Sequence, residues 1–192
     1  MSAPVDLFHS TLNIQAENGH LTKELACSIR EFLPTRYAAA EVWKRVYSLY
    51  HDGASLNTMC RATEPTSHAP KYPPAFVLLV KDDAGNLFGS FFTSYLRQKP
   101  HYYDTEECFL WTKSKDKFTA FPHCGQDQFV LYCTKEFLGF GGGNGKFSLW
   151  LNASLEYATS SFTPAFGNAP LSPAYEDGSR IPVIDVELYK LY

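Results

Sequence analysis

The chain has 192 residues, of which 45% are hydrophobic, and its 17 basic and 20 acidic side chains leave a formal net charge of −3. This length and apolar content predict one domain with one sizeable core. The charge lacks the basic excess that binding to a phosphate backbone requires, so nucleic acid is not an expected partner. The amino terminus has no signal or transit pattern, and the longest apolar run, Pro73 to Val80, is shorter than the roughly 20 residues of a membrane-spanning helix. We therefore expect a soluble, intracellular protein.

We predict an amino-terminal arm over residues 1–20, followed by a single domain over 21–192. The first part of this domain has the apolar spacing of helices. Thr22 is the predicted cap of a helix that stops before Pro34, and Thr35 is the predicted cap of a second helix. A third, short helix is predicted over 55–61. The second helix is predicted from apolar residues with helical spacing at Val42, Trp43, Val46, Tyr47 and Tyr50. The arm is expected to pack four apolar residues on the domain: Leu7, Phe8, Leu12 and Ile14.

After a proline-rich loop the sequence period changes to two, which predicts strands. Residues 75–81 and 87–93 flank a turn and are predicted to form a hairpin. The last strand, 183–190, alternates Ile184, Val186 and Leu188 with polar residues and Tyr189. Further strands are predicted over 107–112, 117–121 and 128–133. About eight strands preceded by helices predict an α+β domain with two antiparallel β-sheets packed as a sandwich and helices on the outside.

A glycine-rich stretch separates the aromatic runs Phe137 to Phe140 and Phe147 to Leu151. Glycine and asparagine reach positive φ at low steric cost, so this stretch is predicted to form the turn of a β-hairpin, with at least one glycine at positive φ. On the second strand, Phe147, Leu149 and Leu151 are expected to face the core. The residues of the predicted turn are Gly141, Gly142, Gly143, Asn144 and Gly145.

The same glycines do not match a phosphate-binding loop. A P-loop that ends at Lys146 would need glycine in place of Phe140, serine or threonine in place of Phe147, and a helix afterwards. The dinucleotide pattern G-x-G-x-x-G would need glycine in place of Asn144. We therefore interpret the turn as structural, with a surface that a partner can contact.

Two catalytic alternatives are open from the residues. Glu107 is the strongest acid candidate because it begins a predicted strand beside Glu106, although an ion-pair role that fixes a loop is favoured. A hydrolase would use Ser90 or Ser148 as nucleophile and His101 or His123 as base, but no G-x-S-x-G motif is present.

The cysteines form no C-x-x-C pair, which disfavours a disulfide framework and a zinc ribbon. Cys124, beside His123 in a predicted loop, is the candidate for a thiol antioxidant activity. The other four are predicted to be small buried hydrophobic residues: Cys27, Cys60, Cys108 and Cys133. No metal or other cofactor is expected.

A series of short motifs in a fixed order resembles the TLDc domain of the oxidation-resistance type, and particularly its compact fungal members. The resemblance extends from about Leu21 to Leu191. Thr163 and Ala165 stand where the family usually has cysteine and threonine, and Asn152 replaces a family aspartate, so mechanisms that need that cysteine or acid are not supported. The motifs are Leu33 to Arg36, Trp43 to Ser48, Asp52 to Leu56, Leu79 to Asp82, Phe88 to Ser90, Glu107 to Trp111, Phe140 to Gly143, Phe147 to Leu151, Phe166 to Asn168 with Leu171 and Ser172, and Val186 with Glu187.

The resemblance implies a two-sheet sandwich, a role in resistance to oxidative stress, and binding to the soluble sector of the vacuolar-type proton ATPase, whose disassembly it would promote. It implies neither a cofactor nor an established reaction. The leading hypothesis is thus a non-catalytic interaction module, and the alternative is a hydrolase-like or thiol enzyme that uses Glu107 or Cys124. We expect a cytoplasmic monomer, at the vacuolar membrane surface or with a mitochondrial pool, whose partner binding survives removal of all cysteines. Candidate partner contacts on predicted loops are Asp52, Arg97, Asn144 and Lys146.

Overall fold

A computed structural model of the protein describes residues 12–66 and 73–192. These ranges contain four helices and eleven strands. The helices are α1 (Lys23–Arg30), α2 (Thr35–Ala38), α3 (Leu49–Asp52) and α4 (Leu56–Ala62). The strands are β1 (Asn13–Gln15), β2 (Val42–Ser48), β3 (Phe76–Asp82), β4 (Leu87–Phe92), β5 (Phe109–Ser114), β6 (Lys117–Pro122), β7 (Leu131–Cys133), β8 (Phe137–Phe140), β9 (Leu149–Asn152), β10 (Tyr157–Thr159) and β11 (Ile181–Leu191).

The capping signals locate two helices correctly. The Thr22 hydroxyl accepts a hydrogen bond from the Leu25 amide at 3.2 Å, and α1 buries Leu25 on its inner side. The Ser55 hydroxyl accepts from the Thr58 amide at 3.3 Å at the start of α4. Both hydroxyls satisfy amides that lack partners in a first helical turn, so the predicted first and third helices are confirmed. In the described ranges, no helix has the length and apolar character needed to cross a membrane.

The predicted second helix is wrong beyond Ala38, because residues 42–48 form strand β2. Strand β2 pairs antiparallel with β11 and parallel with β1. Its pairing with β11 skips Val46, which forms a bulge. Residues four apart in a regular strand face the same side, but this bulge puts Trp43 and Tyr47 in different core clusters. The apolar spacing fits either structure, and backbone partners from both ends of the chain select the strand.

The strands form one continuous hydrogen-bonded sheet in the order β6-β5-β4-β3-β11-β10-β9-β8-β7, with β2 also on β11. All pairs are antiparallel except β1 with β2. The expected antiparallel β-rich domain is therefore confirmed, but its division into two sheets is not. The sheet stays continuous because Ile181 and Pro182, at the start of β11, pair with β10, while later residues pair with β3 and β2.

Two apolar clusters lie on opposite faces of β3. Leu78 and its even-numbered neighbours join a cluster with residues of α4 and of β7 to β9. Val77 and Leu79 join the other cluster, which includes the buried side of α1. The rings of Phe92 in β4 and Phe140 in β8 lie 5.6 Å apart in the first cluster. The end of the sheet that carries β7 to β9 therefore packs over β3 and β4.

The predicted faces of the last strand are partly wrong. Val186 and Leu188 are buried as expected, but Glu187 and Tyr189 are also buried, and Ile184 is 55% exposed. The register of β11 against β3 shifts between Val183 and Asp185, and past this shift β11 lies between β2 and β3. A central strand covered on both faces has no polar side, so alternation alone could not predict its burial.

The amino-terminal arm contributes to the sheet where the structure describes it. Leu12 is buried and Ile14 packs against the same core cluster, as predicted. Residues 13–15 form β1, a strand that the sequence did not predict. The expected packing of Leu7 and Phe8 lies outside the described residues.

Candidate interaction surface at the glycine loop

The predicted glycine hairpin is present. Strands β8 and β9 pair from Phe137 with Asn152 to Phe140 with Leu149. Residues 141–148 connect them and include Gly141, Gly143, Asn144 and Gly145 at φ of 69°, 129°, 53° and 73°. These values lie where side chains other than those of glycine and asparagine meet steric resistance, so the loop has the backbone that the prediction requires.

One side of the predicted hairpin is wrong. Phe147 does not face the core with Leu149 but lies on the outer face, where its ring is 5.4 Å from that of Phe137. A Cβ at Gly139 would meet the Phe147 ring at 2.6 Å, so the ring covers this glycine. The intervening Ser148 turns inward and shares a buried 2.5 Å hydrogen bond with the hydroxyl of Thr163. This inward turn, just before β9 begins, breaks the alternation that the prediction assumed.

The loop is held between two other segments. A Cβ at Gly142 would lie 3.1 Å from Cζ of Tyr102 and 3.2 Å from Cβ of Phe129. A Cβ at Gly143 would lie 3.4 Å from Cδ of Pro164. Small residues let the loop approach both segments closely, which fixes its position relative to them.

Exposed aromatic side chains flank this loop. Phe129 is 42% exposed and Phe162 is 56% exposed, although both are large and apolar. Lys146 Nζ lies 3.0 Å from Asp177 Oδ1, and Asp177 Oδ2 accepts a hydrogen bond from the Phe162 amide at 3.3 Å. Phe129 is joined to the loop through Gly142, and the Phe162 backbone is joined to it through the pair of Lys146 and Asp177, so we treat these groups as one surface. We call it the glycine-loop surface, and its members are Phe129, residues 143–146, Phe162 and Asp177.

The ion pair on this surface is a weak contact. The hydrogen bond from Lys146 is the main cause that holds the pKa of Asp177 below its ordinary value. Both side chains are exposed, at 52% and 42%, so water and salt screen their attraction. The apolar rings of Phe129 and Phe162 therefore offer the larger gain on contact with a partner.

Replacing Gly145 with valine is expected to lower the free energy of unfolding by about 1–2 kcal/mol, because valine is strained at positive φ. A Cβ at Gly145 would meet no described residue beyond its chain neighbours within 4 Å, so backbone strain is the dominant effect. Urea unfolding of the purified domain measures the change. Asn144→Gly, at φ 53°, is the control and should not destabilise. Equal stability of Gly145→Val and the wild type would contradict a conformational role for this glycine.

Of the four predicted partner contacts, only Asn144 and Lys146 lie together. Asp52 accepts a hydrogen bond from the Ser48 amide at 2.8 Å and lines a cleft of about 580 Å³ that Arg45 also lines. Arg97 lines a different cleft, of about 550 Å³, and its guanidinium lies 5.5 Å from the centre of the Tyr95 ring. Sequence reasoning missed Phe129 and Phe162, since their exposure depends on the packing of distant segments.

Glu107 does not begin a strand, because β5 starts two residues later and Glu107 lies in the preceding turn. Its carboxylate accepts two hydrogen bonds from the Arg36 guanidinium, one of them 2.7 Å long. The bond to Glu107 is the main cause that raises the pKa of Arg36. This paired, partly exposed carboxylate ties α2 to the turn before β5, as the ion-pair interpretation expects.

The candidate nucleophiles are not joined to bases. Ser90 Oγ is buried and has no hydrogen-bond partner among the described residues, and Ser148 Oγ bonds to Thr163. His123 accepts a hydrogen bond at Nδ1 from the Gly125 amide at 3.1 Å, and Cys124 beside it is exposed. Among residues 12–66 and 73–192, no hydrogen bond links a serine hydroxyl to a histidine ring.

A buried charge cluster at Glu187 was missed by the sequence prediction, which put this residue on a polar strand face. Its carboxylate is fully buried and accepts hydrogen bonds from Arg45 Nη1 at 2.8 Å, the His20 amide at 2.9 Å and the Tyr189 hydroxyl at 2.9 Å. Burial, followed by the negative charge of Glu187, raises the pKa of Tyr189. The cluster connects β2, β11 and the chain ahead of α1. In the sequence, the only sign that marked Glu187 was its place in the family motif Val186-Glu187.

Comparison with known proteins gives consistent matches. The TLDc domain family matches residues 14–192. The chain is 50% identical over 187 residues to Oxidation resistance protein 1 of Schizosaccharomyces pombe, covering 96% of this chain and 100% of that protein. It is 36% identical to the protein of the same name from Yarrowia lipolytica, covering 89% of this chain and 73% of that one. Identity to the Eremothecium gossypii protein of that name is 32%, with the same coverages. The chain therefore belongs to the TLDc domain family and is a relative of the fungal oxidation resistance proteins.

Proposed function

We propose that this protein is a non-catalytic interaction module that binds the soluble sector of the vacuolar-type proton ATPase and promotes its release from the membrane sector. The family resemblance suggests the partner, and the name shared by its fungal relatives supports a contribution to oxidative stress resistance. In this proposal the domain acts as a monomer in the cytoplasm, at the surface of the vacuolar membrane. The observation that carries the docking role is the pair of exposed phenylalanines on the glycine-loop surface.

The glycine-loop surface has the properties of a protein-binding site. Binding energy at protein interfaces is concentrated in a few large side chains, and exposed Phe129 and Phe162 supply such anchors. The glycine backbone between them is packed against Tyr102 and Pro164, so little order must be gained on binding. The exposed pair of Lys146 and Asp177 supplies a polar rim. A rim charge of this kind affects encounter and orientation more than affinity.

The catalytic alternatives have less support. An acid-base role for Glu107 would require its two hydrogen bonds to Arg36 to open. A nucleophilic role for Ser148 would require loss of its buried bond to Thr163. Both groups already have partners that explain their positions, whereas Phe162 leaves 56% of its surface exposed and Phe129 leaves 42% exposed although its ring packs on that of Tyr102.

Replacing Phe162 with alanine is expected to weaken binding to the isolated soluble sector by about 2 kcal/mol, or roughly 30-fold in Kd, because an interface anchor is lost. Phe129→Ala should act in the same direction. Biolayer interferometry with the immobilised domain and purified soluble sector measures both. Circular dichroism and the thermal unfolding midpoint of each variant separate a lost contact from a lost fold.

Tyr50→Ala is the matched control, because Tyr50 is 82% exposed on α3 and does not belong to the glycine-loop surface. It removes an exposed aromatic ring and should leave Kd unchanged. If both phenylalanine variants bind with the wild-type Kd, or if Tyr50→Ala raises Kd as much as they do, the binding site lies elsewhere on the domain. Failure of the wild type to bind the soluble sector at all would overturn the proposed function itself.

A further inference from the structure

Two cysteines distant in sequence bring their sulfur atoms together. Sγ of Cys60, on α4, lies 3.7 Å from Sγ of Cys133, at the end of β7, and 73 residues separate them. Both are free thiols. A disulfide bond is about 2.05 Å long, so the sulfurs need to approach by only roughly 1.7 Å. Within the described residues, no other pair of cysteine sulfurs is in hydrogen-bonding contact.

The two thiols differ in their access to solvent. Cys60 is 7% exposed and lines the cleft of about 550 Å³ that Arg61, Glu64 and Arg97 also line. Cys133 is fully buried behind it. A small molecule that enters the cleft can therefore meet Cys60 first and cannot meet Cys133 directly.

The contact also separates the roles of the two sulfurs. The hydrogen-bonding contact with Cys133 is the main cause that lowers the pKa of Cys60. The same bond, together with burial, raises the pKa of Cys133. These opposite directions agree with the difference in access, and both favour Cys60 as the sulfur that reacts as a thiolate. Thiolates, not thiols, are the nucleophiles in reactions with peroxides.

We propose that Cys60 and Cys133 form a dithiol that hydrogen peroxide or a small hydroperoxide oxidises to a disulfide, with Cys60 as the attacking residue and Cys133 as the resolving residue. This site differs from the exposed Cys124, which lies in the loop after β6 and has no thiol partner in the described structure. It is also independent of the glycine-loop surface.

The reaction balances with hydrogen peroxide as the oxidant. The Cys60 thiolate attacks one peroxide oxygen, the O–O bond breaks, and the leaving hydroxide takes a proton from solvent to form water. The Cys60 sulfur, now a sulfenic acid, has lost two electrons to the peroxide. Cys133 then attacks this sulfur, the S–O bond breaks, and the Cys133 proton leaves with the hydroxide as a second water. Two thiols and one peroxide thus give one disulfide and two waters.

Peptide mapping of the full chain without reduction tests this proposal. After exposure to one equivalent of hydrogen peroxide under native conditions, a peptide pair linked through Cys60 and Cys133 is expected, with loss of two thiols per molecule. Cys133→Ser should stop the reaction at the sulfenic acid on Cys60, which dimedone labels. Cys60→Ser should slow oxidation of Cys133 to the rate of the buried Cys108. Cys124→Ser is the control and should leave the linked pair unchanged.

Three results would overturn the proposal. The first is oxidation of Cys124 while Cys60 and Cys133 stay reduced. The second is a linked peptide that forms only in denaturant, which would show that the folded protein keeps the sulfurs apart. The third is oxidation of Cys133 at the wild-type rate in Cys60→Ser. If a serine variant fails to fold, the peptide map of the wild type under native conditions decides alone.

Discussion

Replacing Glu187 with alanine is expected to lower the free energy of unfolding by about 3–5 kcal/mol, because the change breaks a buried ion pair and leaves its partner without compensation. The Arg45 side chain, which is only 12% exposed, would lose its carboxylate. The His20 amide and the Tyr189 hydroxyl would lose their acceptor as well. A polar group left buried without a partner carries a desolvation cost of its own.

Urea unfolding followed by circular dichroism measures this difference. Asp177→Ala is the matched control, since it also removes one carboxylate from an ion pair, but from the exposed pair with Lys146. A surface pair of this kind contributes little to stability, because water and salt screen it. Equal stability losses for Glu187→Ala and Asp177→Ala would mean that the Glu187 cluster does not hold the centre of the sheet together.

Gly89→Ala is expected to cost about 3 kcal/mol, at the upper end of the range for overpacking a core. Gly89 pairs with Leu79 in the middle of the β3–β4 ladder. A Cβ there would lie well inside van der Waals contact with the Leu78 carbonyl oxygen, 2.8 Å from the carbonyl carbon and 3.2 Å from Cζ2 of Trp111. The oxygen belongs to the backbone and cannot rotate away, so the two strands must separate locally.

Ser90→Ala, one residue along β4, is the control for this effect. Its hydroxyl is buried and finds no hydrogen-bond partner in the part of the chain that the structure describes, so its removal should be neutral or stabilising. Both variants place alanine in the same strand, and the thermal unfolding midpoints compare them directly. A Gly89→Ala variant as stable as Ser90→Ala would show that the strands accommodate a methyl group at this position.

Local signals in the sequence predicted the elements that local contacts determine. The hydroxyls of Thr22 and Ser55 start helices because their amide partners are three residues away. The glycine loop was predictable for the same reason, since Gly141 and Gly145 reverse the chain within a few residues. Strand β2 was not predictable in this way, because its apolar spacing also fits a helix and its partners lie at both ends of the chain.

The candidate sites differ in the same way: local sequence predicts some of their residues, and packing between distant segments determines the others. Asn144 and Lys146 were found from the turn that contains them. The exposure of Phe162 depends on where residues 147–180 place it, and an aromatic residue in the sequence carries no sign of exposure. The contact of Cys60 with Cys133 likewise spans 73 residues and becomes visible only when α4 packs against β7.

The proposed release of the soluble sector can be tested directly in vacuolar membrane vesicles that carry the intact proton ATPase. Excess purified domain is added, the membranes are sedimented, and the soluble sector is quantified in the pellet and the supernatant. We expect the domain to move soluble sector into the supernatant and to lower ATP hydrolysis in the pellet, with a weaker effect from Phe162→Ala than from Tyr50→Ala. Soluble sector that stays on the membrane with unchanged ATP hydrolysis at saturating domain would contradict the proposed function.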